Sequence, residues 1–276
     1  MRMSLPAGSI RTPAERPSRI VSVAHRGASA YVAENTLAAI RRAIALDADL
    51  VELDVQRCRD GALVLMHDTT LARTTNVQQV FPGRGPWRVV DFTYDELRQL
   101  DAGSWKSHSF AGEHIPTPND AIEVTRGSRA GLLLELKAPE LYPGIVSDVV
   151  STMSSIPGYV DSAVAAGRLV MQSFSFAAMK DYKTQEPTVP VGLLGTPDRG
   201  NLPALSTWVD QVNPAHYSVD RSYVDEVHRL GMRCLVWTVN HAPAMRRVAR
   251  MGVDGVITNR PDVLSRVLRG RVDAAA

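Results

Sequence analysis

The sequence predicts an α/β fold: a closed (β/α)8 TIM barrel with a small insertion after the second strand region. Three observations lead there. From Arg19 onward, eight strand-like runs alternate with helix-like segments, the pattern of parallel strands joined by crossover helices. The chain is 276 residues long, within the range that one barrel fills as a single domain. Two of the strand-like runs carry charged residues two apart at or just past their carboxyl ends, where barrel enzymes keep their chemistry.

The elements follow in order. Residues 1–19 hold three prolines, four arginines and no apolar run of signal-peptide length, so a flexible tail is expected there and the barrel domain over 20–276. "IVSVA" (20–24) is the first strand. "NTLAAIRRAIAL" (35–46) is a helix with Leu37, Ile40 and Ile44 on one face. "LVELDV" (50–55) is the second strand, and Asp60-Gly61 turns the chain back into a short return strand, 62–66. Residues 69–119 are rich in Gly, Pro and Ser and too long for an ordinary βα loop. They are expected to form an insertion over one end of the barrel, with a short helix at 93–100 whose Thr93 and Glu96 make a capping box. "GLLLEL" (131–136), "RLVMQS" (168–173), "PVGLLG" (190–195), "QVNPAHY" (211–217), "RCLVWTV" (233–239) and "GVIT" (255–258) complete the eight strands. Helices are expected at 144–156, 222–231 and 242–252, the last two stopped by Gly231 and Gly252.

Composition narrows the function. Apolar residues make up 45 % and charged residues 22 %, ordinary values for a soluble globular protein. The net charge is +2 and no basic run focuses it, which argues against a nucleic-acid or anionic-membrane partner. No apolar stretch approaches the roughly 18–20 residues of a membrane span, so no stable membrane insertion and a cytoplasmic protein are expected. Cys58 and Cys234 lack CxxC spacing and are expected as reduced thiols, with a single disulfide left open.

The second strand raises the chemical question. Glu52 and Asp54 share one face of it, while Val51, Leu53 and Val55 share the other. The apolar face suits the covering helices, so the two carboxylates point into the barrel. There they repel and are costly to desolvate without a partner. A cation at the carboxyl end of the strand resolves this. The strand at 131–136 repeats the pattern with Glu135 and Lys137, the first strand ends in His25 and Arg26, and the return strand delivers His67. Glu52, Asp54 and Glu135 offer oxygen ligands only, which suits one divalent cation, Mg2+ or Ca2+. If the histidines were ligands too, Zn2+ or Mn2+ would fit. As an acid–base pair instead, they would serve phosphoryl transfer, with the cation, Arg26 and Lys137 holding an anion.

"AHRGASAYVAENTLAAI" (24–40), "ADLVELDVQRCRDGALVLMHDTTLARTTN" (48–76), "LDAGSWKSHSFAGEHIPTPNDAI" (100–122), "LLLELK" (132–137), "QSF" (172–174), "WTVN" (237–240) and "GVITNRPD" (255–262) occur in this order. From about Ile20 to Leu268 the chain resembles the glycerophosphodiester phosphodiesterases. The resemblance implies a (β/α)8 barrel, a divalent metal on Glu52, Asp54 and Glu135, and an acid–base pair in His25 and His67. It places Arg26 and Lys137 against the phosphate and Trp237 beside the substrate's glycerol. It implies hydrolysis of small-molecule glycerophosphodiesters to sn-glycerol 3-phosphate and an alcohol, through a cyclic phosphate. Asp68 is expected behind the ligands rather than among them, and Glu34 and Asn35 as organisers of the first loop and caps of the helix that follows. Val77 stands where the family has a glycine after "RTTN", and the segment to Gly85 is longer, which touches loop shape and substrate fit. His108, His114, His216, His228 and His241 match no motif and are expected at the surface or in loops.

Two rivals stand beside this reading. One is a phospholipase D-like or lysophospholipase D-like enzyme, for which Phe81, Trp87, Phe92, Trp105 and Phe110 would line an apolar groove. The other is a non-catalytic barrel that binds phosphate or metal.

Overall fold

Alternation along the strands sorts the side chains into two layers and closes the sheet. A computed structural model describes residues 19–272. The tail expected over 1–19 lies, apart from Arg19, outside the described residues. The strands are β1 (Val21–His25), β2 (Leu50–Arg57), β3 (Leu63–Leu65), β4 (Gly131–Leu136), β5 (Leu169–Ser173), β6 (Val191–Leu194), β7 (Gln211–Asn213), β8 (Arg233–Val236) and β9 (Gly255–Thr258). Their order is β1-β9-β8-β7-β6-β5-β4-β2-β3, and β1 also pairs with β2. Setting aside the antiparallel β3, eight parallel strands therefore close into a barrel.

The outward residues Val51, Leu53, Val55, Leu132, Leu134 and Leu136 are buried under the helices, beside Ile40 and Ala43. The inward residues Val23, Leu50, Leu133, Val170, Leu235 and Ile257 form a separate plug inside the barrel. Counting two residues onward from each plug residue gives the mouth. Val23 leads to His25, Leu50 to Glu52 and Asp54, Leu133 to Glu135 and Lys137, Val170 to Gln172 and Phe174, Leu235 to Trp237, and Ile257 to Asn259. An apolar floor thus carries a polar upper layer, and one parity rule aims both.

β2 runs past the barrel rim, and β3 pairs with the overhang, Val55 with Leu65 and Arg57 with Leu63. The expected alternation holds. Val64 and Met66 face the inserted segment's core, whereas Leu63 and Leu65 face the barrel's outer layer. The return therefore brings His67 back to the mouth. The inserted segment closes its own small core around Leu71, Val77, Val89, Phe92, Leu97 and Ile115. Phe92 is fully buried, Phe81 and Trp87 pack on this core, and Arg84 stacks on the Phe92 ring at 3.9 Å. These aromatics fill a core and do not line an apolar groove. Trp105 remains 38 % exposed. The Thr93–Glu96 capping box forms as expected on the helix Tyr94–Leu97.

Three expectations need correction. Thr36, not Asn35, caps the helix Leu37–Ala45, accepting from the Ala39 N–H at 3.2 Å. The run at 211–217 stays a strand only to Asn213, because Pro214 has no N–H for the ladder. The His228 side chain is not at the surface: on the helix Arg221–Arg229 it is 5 % exposed, its Nε2 2.7 Å from Asp254 Oδ2. Cys58 and Cys234 are both free thiols, in separate cores. No described helix is long and apolar enough to cross a membrane.

Candidate active site

The loop after β1 is shaped by backbone constraint. Arg26 sits at φ 54° and Gly27 at φ 80°. A Cβ on Gly27 would lie 2.7 Å from the Ala39 backbone, so only glycine lets the loop press onto the helix Leu37–Ala45. This turn points the Arg26 N–H at Glu52 Oε2, 2.8 Å away. The guanidinium donates to Glu34 Oε1 at 2.8 Å, and its Nε lies 3.4 Å from Asp54 Oδ2. Asn35, at φ 56°, turns inward. Its Nδ2 donates to Asp54 Oδ2 at 2.8 Å, and its Oδ1 accepts from the Asp54 N–H at 3.2 Å. Asn35 therefore holds an acid of the mouth instead of a helix end.

Glu52, Asp54 and Glu135 are all buried, and one oxygen of each falls within 4.8 Å of the others. Lys137 donates to Glu135 Oε1 and stands 3.2 Å from Asp54 Oδ1. Even so, Asp54 Oδ1 and Glu52 Oε1 have no hydrogen-bond partner. The Lys137 approach to Asp54 is close but not a directed bond. Buried anionic oxygens left this way are expensive. Burial, then the charges on Asp54 and Glu135, push Glu52 well above the usual carboxylate range. Burial and then Asp54 push Glu135 up to about 7. Burial also acts on Asp54, but Lys137 and Arg26 hold it below its ordinary value. Protons would relieve the strained acids one at a time. A single hard divalent cation would relieve all three, and the all-oxygen donor set fits one.

Both imidazoles are tied at Nδ1. His25 Nδ1 lies 2.7 Å from Asn259 Oδ1, and His67 Nδ1 lies 2.6 Å from Asp68 Oδ1. Asp68 in turn accepts from Arg73 Nε at 2.6 Å, and Arg73 Nη2 donates to Glu34 Oε1 at 2.7 Å. Hydrogen bonds from Arg73 lead the causes that hold Asp68 down to about 2. Burial, then the Arg26 charge, lowers His25 to about 4, and burial leads the lowering of His67. His25 Nε2 lies 4.0 Å from Glu52 Oε2, and the buried group of Glu52, Asp54 and Glu135 gathers without an imidazole.

A cavity of about 180 Å3 opens among these groups, lined on one side by His25, Arg26, Glu52, His67, Glu135 and Lys137. Its other wall is Gln172, Phe174, Leu194, Trp237 and Ile257. The Phe174 and Trp237 rings meet edge to face at 5.7 Å, and Lys137 Nζ lies 5.9 Å from the Phe174 ring. Thus seven of the eight residues singled out from sequence line this cavity, and the eighth, Asp54, gathers with Glu52 and Glu135. Sequence reasoning missed the roles of Asn35, Asn259, Phe174 and Gln172. All but Asn35 lie two residues beyond a plug residue or its successor, a signal that parity alone contained.

Fold and mouth together define the class: a (β/α)8 barrel whose mouth gathers a buried acidic cluster suited to a divalent metal. Residues 25–263 match the model of the glycerophosphoryl diester phosphodiesterase family, and the chain belongs to that family. It is 34 % identical over 251 residues to the glycerophosphodiester phosphodiesterase of Caldanaerobacter subterraneus subsp. tengcongensis, covering 90 % of this chain and 97 % of that one. It is 32 % identical over 268 residues to the Bacillus subtilis glycerophosphodiester phosphodiesterase, covering 92 % and 88 %. Among solved structures, an Oleispira antarctica phosphodiesterase in complex with the product sn-glycerol-3-phosphate superposes with a TM-score of 0.78 at 27 % identity, covering 92 % of this chain and 97 % of that one.

Proposed function

We propose that residues 20–276 act as one barrel domain, with an insertion at about 69–119, that hydrolyses glycerophosphodiesters to sn-glycerol 3-phosphate and an alcohol. In this reading Glu52, Asp54 and Glu135 hold one divalent cation, Mg2+ or Ca2+, and His25 and His67 exchange protons with the substrate. The observation that carries it is the pairing of two partnerless buried carboxylate oxygens with two imidazoles whose Nδ1 atoms are both engaged. Such imidazoles offer Nε2 to the cavity.

When bound, the cation supplies positive charge at the phosphoryl oxygens. Arg26 and Lys137 add fixed charge to the same side of the cavity. One imidazole accepts the proton of the glycerol 2-hydroxyl as that oxygen attacks phosphorus. The other gives a proton to the departing alcohol oxygen, leaving a cyclic phosphate. Water then opens the ring with the two proton roles reversed, so both imidazoles return to their starting states. Attack within one molecule needs no second reactant to be captured. The complex of the Oleispira relative with sn-glycerol-3-phosphate supports this product.

The cavity, about 180 Å3, and its mostly charged and polar lining suit a small polar substrate. A lysophospholipase D-like activity would need the chain to lie outside, over the exposed Phe174, Phe176 and Tyr217 rings. Family membership sets aside the non-catalytic barrel. The test is release of sn-glycerol 3-phosphate from glycerophosphocholine, with and without chelator, beside a lysolipid. No release from glycerophosphocholine in excess Mg2+ or Ca2+ would overturn the reading.

A further inference from the structure

The register row that carries two of the carboxylates continues round the barrel. Asp54 pairs with Glu135, Glu135 with Gln172, Gln172 with Gly192, and Gly192 with Gln211. Gln172 is 1 % exposed and faces inward on the wall of the cavity. Its Oε1 accepts from Asn213 Nδ2 at 2.7 Å. Asn213 belongs to β7, so this bond reaches across β6. It can do so because β6 has no side chain at that level. A Cβ on Gly192 would lie 2.8 Å from Asn213 Nδ2 and 2.9 Å from Gln211 Nε2. The glycine leaves the space through which one amide holds the other.

The bond consumes the oxygen of Gln172 and leaves its N–H pair. Nε2 makes no hydrogen bond among the described residues and is not among the sealed, partnerless atoms, so it opens on the cavity. The opposite orientation would set the amide oxygen toward the carboxylates. A pair of neutral donors fixed in this way is a binding element without a ligand.

We propose that Gln172, held by Asn213, donates a hydrogen bond to the terminal hydroxyl oxygen of the glycerol moiety. The inference rests on the reading of this cavity as a glycerophosphodiester site. Phosphoryl oxygens are drawn to Arg26, Lys137 and the cation that the acid cluster would hold, on one side of Gln172. On its other side the wall is uncharged, with Leu194 and Trp237 for the carbon skeleton. A neutral amide there matches a neutral oxygen. The 2-hydroxyl is engaged with an imidazole, which leaves the terminal hydroxyl. Such a contact selects against ligands that lack the hydroxyl, because the donors would then stay buried and unpaired.

The experiment compares binding of sn-glycerol 3-phosphate and of 2-hydroxypropyl phosphate, which lacks the terminal hydroxyl, by calorimetry with excess Mg2+ or Ca2+. The parent protein is expected to prefer the glycerol ligand about tenfold, the worth of one such bond. Gln172→Met keeps the length without the donors and should bind both ligands alike. Asn213→Ser leaves Gln172 in place but unheld and should reduce the preference, so the inference stays testable if the first variant does not fold. A preference unchanged in Gln172→Met overturns the inference while leaving the site intact. A parent protein that binds neither ligand overturns the reading of the cavity, and the inference with it.

Discussion

His25 and Asn259 are 234 residues apart in the chain, and the barrel closure between β1 and β9 brings His25 Nδ1 to 2.7 Å from Asn259 Oδ1. A carboxamide oxygen only accepts, so the proton of a neutral His25 sits on Nδ1 and its Nε2 lone pair is free. Asn259 itself is held by its own N–H, which donates to Asn240 Oδ1 at 2.9 Å. The small cavity is thus oriented partly from the last strand of the barrel.

Removing this support should cost turnover before it costs stability. Asn259→Ala is expected to lower kcat by about tenfold to a hundredfold, the usual effect of losing a partner that orients a functional histidine. Asn259→Asp, which keeps an acceptor at the same place, should retain more activity than the alanine. Steady-state kinetics on both variants checks the order. Equal activity in the parent and the alanine variant would remove Asn259 from the site.

The imidazoles themselves should matter more. His25→Ala and His67→Ala are each expected to reduce kcat by about two to four orders of magnitude, the range of general acid–base catalysis. Since the proposed reaction needs one base and one acid in each half, the double variant should be little worse than either single one. Multiplying losses in the double variant would show that the two act independently and would refute the shared proton exchange.

The acid cluster predicts an unusual pH dependence of stability in the metal-free protein. Burial and Asp54 raise Glu135 to about 7, and burial with its carboxylate neighbours raises Glu52 well above its ordinary value. A carboxyl raised on folding stabilises the protein fully below its unfolded pKa and loses that contribution as pH rises through the folded value. The lowered histidines act the other way, and because the unfolded imidazole is half charged at about pH 6.5 their gain runs on to about pH 7.5. Measured against Glu135→Gln, which keeps both histidines, the metal-free parent should therefore lose Tm as pH rises from about 5 to 8. Excess Mg2+ or Ca2+ should raise Tm and abolish the fall, with about 2.7 kcal/mol gained at a hundred times Kd. Thermal melts in chelator and in cation, across that pH range, make the comparison. A metal-free parent whose Tm does not fall relative to Glu135→Gln over that range would contradict the burial of an ionisable acid.

Much of this site is legible in the sequence, and the limits have a physical cause. Glu52, Asp54, Glu135 and Lys137 stand out because alternation by two is a local property of a strand, and a charge on an inward position breaks the expected apolar pattern. Asn35 is misread because it sits just before a helix, where a cap is the default. Its left-handed backbone turns it to Asp54 instead, a contact spanning 19 residues. Gln172 and Asn213 face each other across β6, and no local pattern encodes a bond across a strand. The helix Phe176–Gln185 escapes notice because it buries only Met179 and Tyr182, too few for a clear period. His228 looks like a surface residue because its partner Asp254 comes from another element.

Asp101 supplies a prediction away from the chemistry. Its Oδ1 accepts from the Gly103 and Ser104 N–H groups at 2.8 Å each, and its Oδ2 from the Gly112 N–H at 2.9 Å and the Ser104 hydroxyl at 2.7 Å. Burial pushes this carboxyl up, but the donors from Ser104, Gly112 and Gly103 outweigh it and leave it below the usual range. One side chain thus closes the loop from 101 to 112, which leads through Ala102 and Ile115 into the core of the inserted segment. That loop also carries Lys106, whose Nζ donates to the Ser29 carbonyl at 2.9 Å and ties the segment to the loop after β1. Asp101→Ala removes several accepted hydrogen bonds at once, most from exposed donors that water can meet, and a loss of about 0.5–1.5 kcal/mol follows. Asp101→Asn should lose less, since one oxygen still accepts. Because the folded carboxyl is depressed, its contribution holds above the unfolded value near 4 and fades as pH falls below it. The difference between parent and Asp101→Ala in urea midpoint should therefore be full at pH 7 and smaller at pH 3. A difference of the same size at both pH values would mean that Asp101 acts through its shape, not its charge.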